Sequence, residues 1–489
     1  MMDNFKIHNH HESENLETLH EECGVFGILE PCRANTATST YFGLYALQHR
    51  GQESCGIAVC DSGVMTQYRE EGLVSEVFTS DILHSLGKGQ MAVGHVRYST
   101  TGGQNRNNIQ PLVIRHIKGN LALVHNGNLT NASELRSSFE LSGAIFHGTS
   151  DTEAIAYEIV RHRLQCSSTE EAIEHAMNYL DGAYSCIVMT AQKLIAFRDP
   201  NGFRPLCIGK TKNGAYVVAS ESCALDAVGA NFLRDVQAGE IVVINEKGLS
   251  SIQTHCQKRI PSICIFEYIY FARPDSIIGG ISVHHTRICA GKLLAKRNAI
   301  NADVVIGVPD SGLDAALGFS QESGIPYGIG FIKNKYIGRS FIQPEQSQRE
   351  NAVRIKLNVI RETVAGKRVI MIDDSIVRGT TSAKIVQLLR DAGATEVHVR
   401  ISSPPFLHGC YFGTDIDSEE NLIANQYQSI TEIADYIGAD SLDYLPVNEL
   451  GTLIGQENGF CQGCFTGNYP VDVSKAGKKN KFDKKLNEN

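Results

Sequence analysis

Short runs in which apolar and polar or small positions alternate recur through the first half of the chain, separated by Gly, Asn and Asp. ECGVFGIL, SCGIAVC, QMAVGHVRYST, NLALVHNGN, YSCIVMT, KLIAFRD, GAYVVASES and EIVVINEKG read as strands. Helical stretches interrupt them around Asp151 to Leu164 and Glu170 to Leu180. Many strands and few helices predict sheets packed in layers up to about residue 250. From about residue 300 the pattern changes to buried strands alternating with amphipathic helices. ADVVIGVPDSG leads into a helix reaching Ser323, and IPYGIGFIK follows. KRVIMIDD then leads into a helix carrying Ile385, Leu388 and Leu389, which is expected to stop at Ala392-Gly393 before EVHVRISS. This is a βαβ unit in outline. The polar stretch from His255 to Pro261 is the natural boundary between an α+β half and an α/β half with a parallel sheet.

The length agrees with that division, since 489 residues exceed what one hydrophobic core supports. A formal net charge of −9 argues against broad nucleic-acid binding, which needs a basic face, and leaves room for a local basic pocket. The first 22 residues are polar and acidic and lack the apolar run of a secretory signal. No stretch approaches the roughly 20 apolar residues that span a bilayer. A cytoplasmic protein without a membrane partner is expected, and in that reducing compartment cysteines serve metals or catalysis more often than cross-links. Most of the 14 are still expected to be inert buried thiols. The lysine-rich tail, residues 471–489, lacks periodicity and reads as solvated and flexible.

The most specific stretch is VIMIDDSIVRGTTSAKIV, residues 369 to 386. An apolar strand ends in Asp373 and Asp374, and a loop with Arg378, Gly379, Thr380, Thr381 and Ser382 opens the next helix. Such a loop offers backbone N–H groups, hydroxyls and a positive helix end to a phosphate. The two carboxylates would repel that phosphate unless they face a ribose diol or Mg²⁺. The plainer alternative is a tight turn with solvent-exposed acids. The stretch resembles the signature of type I phosphoribosyltransferases, in which the acids bind the ribose of phosphoribosyl pyrophosphate and the loop holds its 5-phosphate. The same resemblance makes VVIGVPDSG the pyrophosphate-side loop, with Ser311 beside Asp373 and Asp374 near one Mg²⁺ per subunit. Taken alone, PDSG is a turn. FIKNKYIGRSFIQP, with Lys333, Lys335 and Arg339, is either a basic surface loop or, as in that family, a flap that closes over substrate and excludes water.

Cys23 lies in HEECGVFG and is followed by LQHRGQES, HVRYSTTGG, HNGNL and TSDTE. A Cys beside Gly at a strand start is ordinarily a core residue. In combination and in this order, the five segments resemble the glutaminase domain of N-terminal-nucleophile amidotransferases. That resemblance implies a four-layer αββα domain and cleavage after Glu22, which would free the amine of Cys23. A thiol and an α-amino group both titrate near neutrality, so the amine can act as base for its own thiol. Asn126 and the Gly127 amide would form the oxyanion hole. Arg97 would pair with the glutamine carboxylate and Asp151 with its ammonium. The plain alternatives are a surface ion pair for Arg97 and a helix N-cap for Asp151.

Cys461 and Cys464 form one CxxC, which alone fits zinc, redox chemistry or a turn. Cys264 and Cys410 match the places where a subset of these amidotransferases carries the other ligands of a [4Fe–4S] cluster, one per subunit. Iron–sulfur is favoured over zinc, in a structural role.

Both modules in this order resemble the amidophosphoribosyltransferase family from Cys23 to about Tyr469. The resemblance implies a propeptide over 1–22, a glutaminase domain over 23–258 and a phosphoribosyltransferase domain over 259–470. It also implies glutamine and phosphoribosyl pyrophosphate as substrates, purine nucleotides as inhibitors and a homotetramer. Two rivals are a sugar-phosphate aminating enzyme sharing the Cys23 half and a non-enzymatic regulator on a phosphoribosyltransferase fold. The acid pair with RGTTS argues against the first, and the complete glutaminase constellation against the second.

Overall fold

The computed structural model describes residues 23–98, 106–297, 299–334, 357–416, 418–474 and 476. The expected propeptide, the flap residues Lys335 and Arg339, and most of the lysine-rich tail lie outside the described residues.

The first half is built on two antiparallel sheets. One has seven strands in the order Ala230–Asp235, Cys207–Thr211, Tyr216–Ala219, Gly24–Ala34, Gly89–Arg97, Ser54–Asp61 and Val64–Glu71. The other has six, in the order Gly248–Ile252, Ile241–Asn245, Leu194–Arg198, Gly182–Met189, Gly119–Leu129 and Leu112–His116. Successive side chains of a strand point to opposite faces, and here both faces are covered. Val25, Ala58 and Val93 of one sheet meet Val124, Ile187 and Ala196 of the other in the central layer. Phe26, Ile57 and Ala92 point outward onto the helices Thr36–Ala46 and Ser222–Ala227. Leu123, Cys186 and Phe197 point outward onto Asp151–Arg163 and Thr169–Ala176. The result is the helix–sheet–sheet–helix stack expected of this half.

The second half holds a four-stranded parallel sheet, Val304–Gly307, Arg368–Asp373, Glu396–Ile401 and Ser441–Tyr444 in that order. Val305, Ile370 and Ile372 pack under the helices Val283–Arg297 and Gly312–Ser323. Ile306, Met371 and Val399 pack under Thr380–Asp391 and Ile430–Ile437. The segment IPYGIGFIK departs from expectation. It adds only the bridge of Tyr327 to Val305 and the strand Phe331–Lys333, which pairs with Leu357–Val359 in a separate ribbon. Gly328 and Gly330 lie between; a Cβ on Gly330 would stand 2.5 Å from Ile306 Cδ1. Glycine weakens strand structure where close approach forbids a side chain. Among the described residues no helix is long and apolar enough to cross a membrane.

Candidate active sites

Cys23 sits at the entry to Gly24–Ala34, half-buried, with its Sγ 3.7 Å from the Tyr98 carbonyl oxygen. The antiparallel register Gly24 to Val96 and Val25 to His95 brings the end of Gly89–Arg97 alongside it. Arg97 is therefore buried rather than a surface ion-pair residue. His95 reaches across to the second sheet, its Nε2 3.0 Å from the His125 carbonyl oxygen. Asn126 and Gly127 follow on that strand. The Asn126 side-chain nitrogen is buried and, among the described residues, has no hydrogen-bond partner. Buried donors are nearly always matched, so this one is an open donor. Gly127 has φ +137°, and a Cβ there would stand 2.2 Å from the Ala183 carbonyl oxygen.

Asp151 is the first residue of its helix, and the N-cap is Ser150, whose hydroxyl accepts from the Thr152 amide. That corrects the N-cap reading of Asp151. Its Oδ2 accepts from the Leu129 amide at 2.9 Å, and Oδ1 lies 3.5 Å from His125 Nδ1. Burial alone would raise its pKa, but His125 and the Leu129 and Thr152 amides outweigh that and hold it below 3.8. Cys23, Arg97, Asn126, Gly127 and Asp151 thus gather at one end of the two sheets.

The acid pair lies at the carboxyl end of Arg368–Asp373, where ligands bind in open parallel sheets. Both acids are buried, contrary to the exposed-turn alternative. The Asp374 amide donates to Asp373 Oδ1 at 2.9 Å, and the hydroxyls of Ser311 and Ser375 donate to the two Asp374 oxygens. Burial, reinforced by the neighbouring carboxylate, drives Asp373 far above the usual carboxylate range. Burial raises Asp374 as well, against the pull of Ser311, Ser375 and Arg287. Arg378 and Gly379 form the turn into Thr380–Asp391, with Thr380, Thr381 and Ser382 in its first turn. Gly379 is the N-cap at φ +87°, and a Cβ would stand 2.4 Å from Ile423 Cδ1. Lys333 Nζ donates to Asp310 Oδ2 at 2.6 Å, tying the end of Phe331–Lys333 to the PDSG loop.

Three separate chain segments bring Cys264, Cys410, Cys461 and Cys464 to one cavity, lined also by Phe412 and Tyr469. Ile263–Cys264 pairs with Phe460–Cys461 in a two-residue parallel ribbon that sets Cys264 opposite Cys461. Burial pushes the Cys461 thiol up to about 12, and burial plus the other three thiols raises Cys464 far above its ordinary value. Among the described residues, the only three ligand-type atoms mutually within 4.8 Å belong to Cys166, Glu171 and His175, so no three cavity sulfurs are that close. Glu171 in the other trio already accepts from the Ser167 amide and hydroxyl, which makes it a capping residue.

Sequence reasoning missed the charged residues behind Cys23. Arg50 Nε donates to the Cys23 carbonyl oxygen at 3.1 Å, and its other nitrogens reach Glu221 and Glu267. Arg50 stands inside LQHRGQES, so its position was legible while its partners, 171 and 217 residues away, were not.

A family model described as a glutamine amidotransferase domain matches residues 95–227, and one described as a phosphoribosyl transferase domain matches 284–402. The amidophosphoribosyltransferase of Bacillus subtilis (strain 168) is 49% identical over 464 residues, which cover 94% of this chain and 96% of that protein. That of Methanocaldococcus jannaschii is 47% identical, covering 92% of this chain and 98% of that protein. Among solved structures, the B. subtilis glutamine phosphoribosylpyrophosphate amidotransferase complexed with ADP and GMP matches with a TM-score of 0.86. That match has 49% identity and covers 92% of this chain and 98% of that one. The glutaminase-type sandwich, the acid pair at the end of a parallel sheet and this near full-length similarity place the chain in the amidophosphoribosyltransferase family, which carries out the first step of purine biosynthesis.

Proposed function

We propose that the reaction of this family is divided between Cys23 and the Asp373–Asp374 end of the parallel sheet. Glutamine, phosphoribosyl pyrophosphate and water become 5-phosphoribosylamine, glutamate and pyrophosphate. Residues 1–22 are removed, and the freed α-amine of Cys23 takes the thiol proton. Sγ then bonds to the glutamine carboxamide carbon. Asn126 Nδ2 and the Gly127 amide receive the developing oxyanion, ammonia leaves, and water cleaves the thioester to glutamate. Arg97 pairs with the substrate carboxylate and Asp151 with its ammonium. What supports these roles is the open Asn126 donor beside a left-handed glycine at the same sheet ends as Cys23.

In the second module, 259–470, the helix start at Arg378, Gly379, Thr380, Thr381 and Ser382 holds the 5-phosphate. Asp373 and Asp374 hold the ribose, and Lys333 the anionic substrate. Ammonia forms a bond to the ribose C1 as pyrophosphate departs. Ser311, Asp373 and Asp374 are a hard oxygen set fit for Mg²⁺, and two adjacent carboxylates, both raised chiefly by burial, favour a cation. Bound there, Mg²⁺ would neutralise charge on the pyrophosphate. Ammonia passes inside the protein, because in neutral solution it is mostly protonated. Cys264, Cys410, Cys461 and Cys464 hold a [4Fe–4S] cluster that staples three segments, a reading supported by the cavity that all four thiols line. A homotetramer in the cytoplasm, inhibited by purine nucleotides, completes the reading; the ADP and GMP bound to the B. subtilis relative support the last element.

The decisive experiment is Cys23→Ser. Transfer from glutamine should vanish while transfer from added ammonium persists. Glutamine use surviving in that variant would overturn the nucleophile assignment.

A further inference from the structure

One loop of the glutaminase half grips Asp151 from both sides. Asn108 and Gln110 stand just before the strand Leu112–His116, and both are buried. Asn108 Oδ1 accepts from the amides of Thr149 and Ser150 at 2.8 and 3.1 Å, and its Nδ2 donates to the Thr149 hydroxyl at 2.9 Å. A Cβ on Gly148 would stand 2.5 Å from that Oδ1, so a larger residue there would displace the grip. Gln110 takes the other side. Its Nε2 donates to the Thr152 hydroxyl at 3.0 Å, and its Oε1 accepts from the His125 amide at 2.7 Å. The two side chains thus fix the residues immediately before and after Asp151.

The same bonds reach toward the carboxylate itself. The buried Thr152 hydroxyl lies 3.3 Å from His125 Nδ1, the nitrogen that faces Asp151 Oδ1 at 3.5 Å. It also accepts from the Ser150 hydroxyl at 3.0 Å. Behind the loop, the Gln110 carbonyl lies on the strand Ser54–Asp61, where a Cβ on Gly56 would stand 2.2 Å from it. The Ile109 carbonyl accepts from Arg69 Nη1, which anchors the loop further. The helix Asp151–Arg163 has its cap in the Ser150 hydroxyl, which accepts from the Thr152 amide at 3.2 Å. The Gln110 bonds therefore add orientation to a helix start that is capped without them. A charged group held this way keeps the narrow geometry that substrate selection needs.

We infer that Asn108 and Gln110 are positioning residues that set how strongly the glutaminase site selects a substrate bearing an α-ammonium. The inference rests on the reading of Asp151 as the partner of that ammonium. A carboxylate released from this cradle turns about its own side chain and loses contrast between glutamine and the same molecule without the amine. Replacing Gln110 by a hydrocarbon side chain also leaves the buried His125 amide unmatched, which moves the strand that faces Asp151.

The test compares glutamine with glutaramic acid, which is glutamine lacking its α-ammonium. Ammonia release by mature holoenzyme is followed with phosphoribosyl pyrophosphate and Mg²⁺ present, and kcat/KM is taken for each. Gln110→Leu and Thr152→Val should each lower kcat/KM for glutamine roughly 10-fold, the effect of a lost buried hydrogen bond. With glutaramic acid the same variants should stay within about twofold of the parent, so the preference for glutamine narrows. Thr152→Ser keeps the hydroxyl and should keep the parental preference. Ammonium-driven transfer near the parental rate reports that each variant is folded. A merely structural role would lower kcat/KM for both substrates together, so an unchanged preference in either folded variant overturns the inference. Asp151→Asn separates this from the reading beneath it. If that variant also keeps the parental preference, the ammonium assignment of Asp151 falls and the inference with it. If Asp151→Asn loses the preference while Gln110→Leu and Thr152→Val keep it, the inference alone falls.

Discussion

His95 shows how one buried residue can set the acid limit of the glutaminase half. Its Nε2 must carry hydrogen to meet the His125 carbonyl oxygen, and Nδ1 is buried with no partner among the described residues. Burial therefore lowers its pKa from 6.5 to about 3. Between those values the folded chain binds fewer protons than the unfolded one, so stability rises with pH. The contribution is complete above pH 6.5 and is lost as pH falls toward 3. At roughly 1.4 kcal/mol per unit it amounts to several kcal/mol over the window. Melting temperatures measured in steps from neutral to acid pH should fall more steeply for the parent than for His95→Gln; parallel curves would refute this. Asn126 is the second residue whose burial speaks for itself. Asn126→Ala should lower kcat for glutamine roughly 10²- to 10³-fold with little change in KM and none in ammonium-driven transfer. A large rise in KM would make Asn126 a ground-state binding residue instead. The motifs HNGNL and TSDTE made Asn126 and Asp151 candidates through the family resemblance they carry in combination. They said nothing of the missing partner or of the Leu129 amide that orients the carboxylate, because both belong to neighbours in space.

At the scale of elements, two glycines at positive φ, Gly127 within Gly119–Leu129 and Gly379 at the start of Thr380–Asp391, stand at the two proposed sites. Gly127→Ala would force a Cβ into the Ala183 carbonyl at a φ of +137°, and Gly379→Ala would strike Ile423 at +87°. Each strained position costs roughly 1–3 kcal/mol, and a clash adds to it. Gly127→Ala should impair only the glutamine-dependent reaction. Gly379→Ala should raise the KM for phosphoribosyl pyrophosphate with either nitrogen source. Steady-state kinetics with glutamine and with ammonium separate the two, and the reverse assignment would refute the division of sites. The same scale shows where patterns were legible. Strands buried on both faces wrote themselves as short apolar runs bounded by turn residues, and Thr380–Asp391 ends as expected, with Ala392 as its C-cap. The helix Thr36–Ala46 went unread because it is rich in Thr, Tyr and Gly and has no side-chain hydrogen bond at its Asn35 cap. It is helical because it packs its own Leu44 and Ala37 with Phe26 on the outer sheet face, a tertiary cause.

For the whole molecule, the cysteine cavity lies where the halves meet. The loop after Cys410 carries Phe412, stacked on Phe203 at 4.1 Å between ring centres, and its carbonyl accepts from Arg204. Tyr411 accepts from Asn128 Nδ2 at 2.9 Å, and Gly413 lies against Gly127. The cluster proposed above, by anchoring Cys410, would support the strand that carries Asn126 and Gly127. Exposure to air should bleach the brown absorbance and abolish glutamine-driven transfer before ammonium-driven transfer; equal loss of both would confine the cluster to global stability. Removal of Mg²⁺ with a chelator should abolish pyrophosphate release with both nitrogen sources and return on its addition.

Local order alone determined the strand runs, the acid pair with its phosphate turn, the five glutaminase segments and the CxxC, since each is a pattern of residue types over a few positions. Those patterns sufficed for two modules and for the family. Only tertiary structure decided which carboxylates are buried, which donor stands open, that four cysteines line one cavity, and that Glu267 reaches Arg50 across the junction. Burial and long-range pairing depend on residues hundreds of positions apart coming together in space, and a linear pattern does not carry that information.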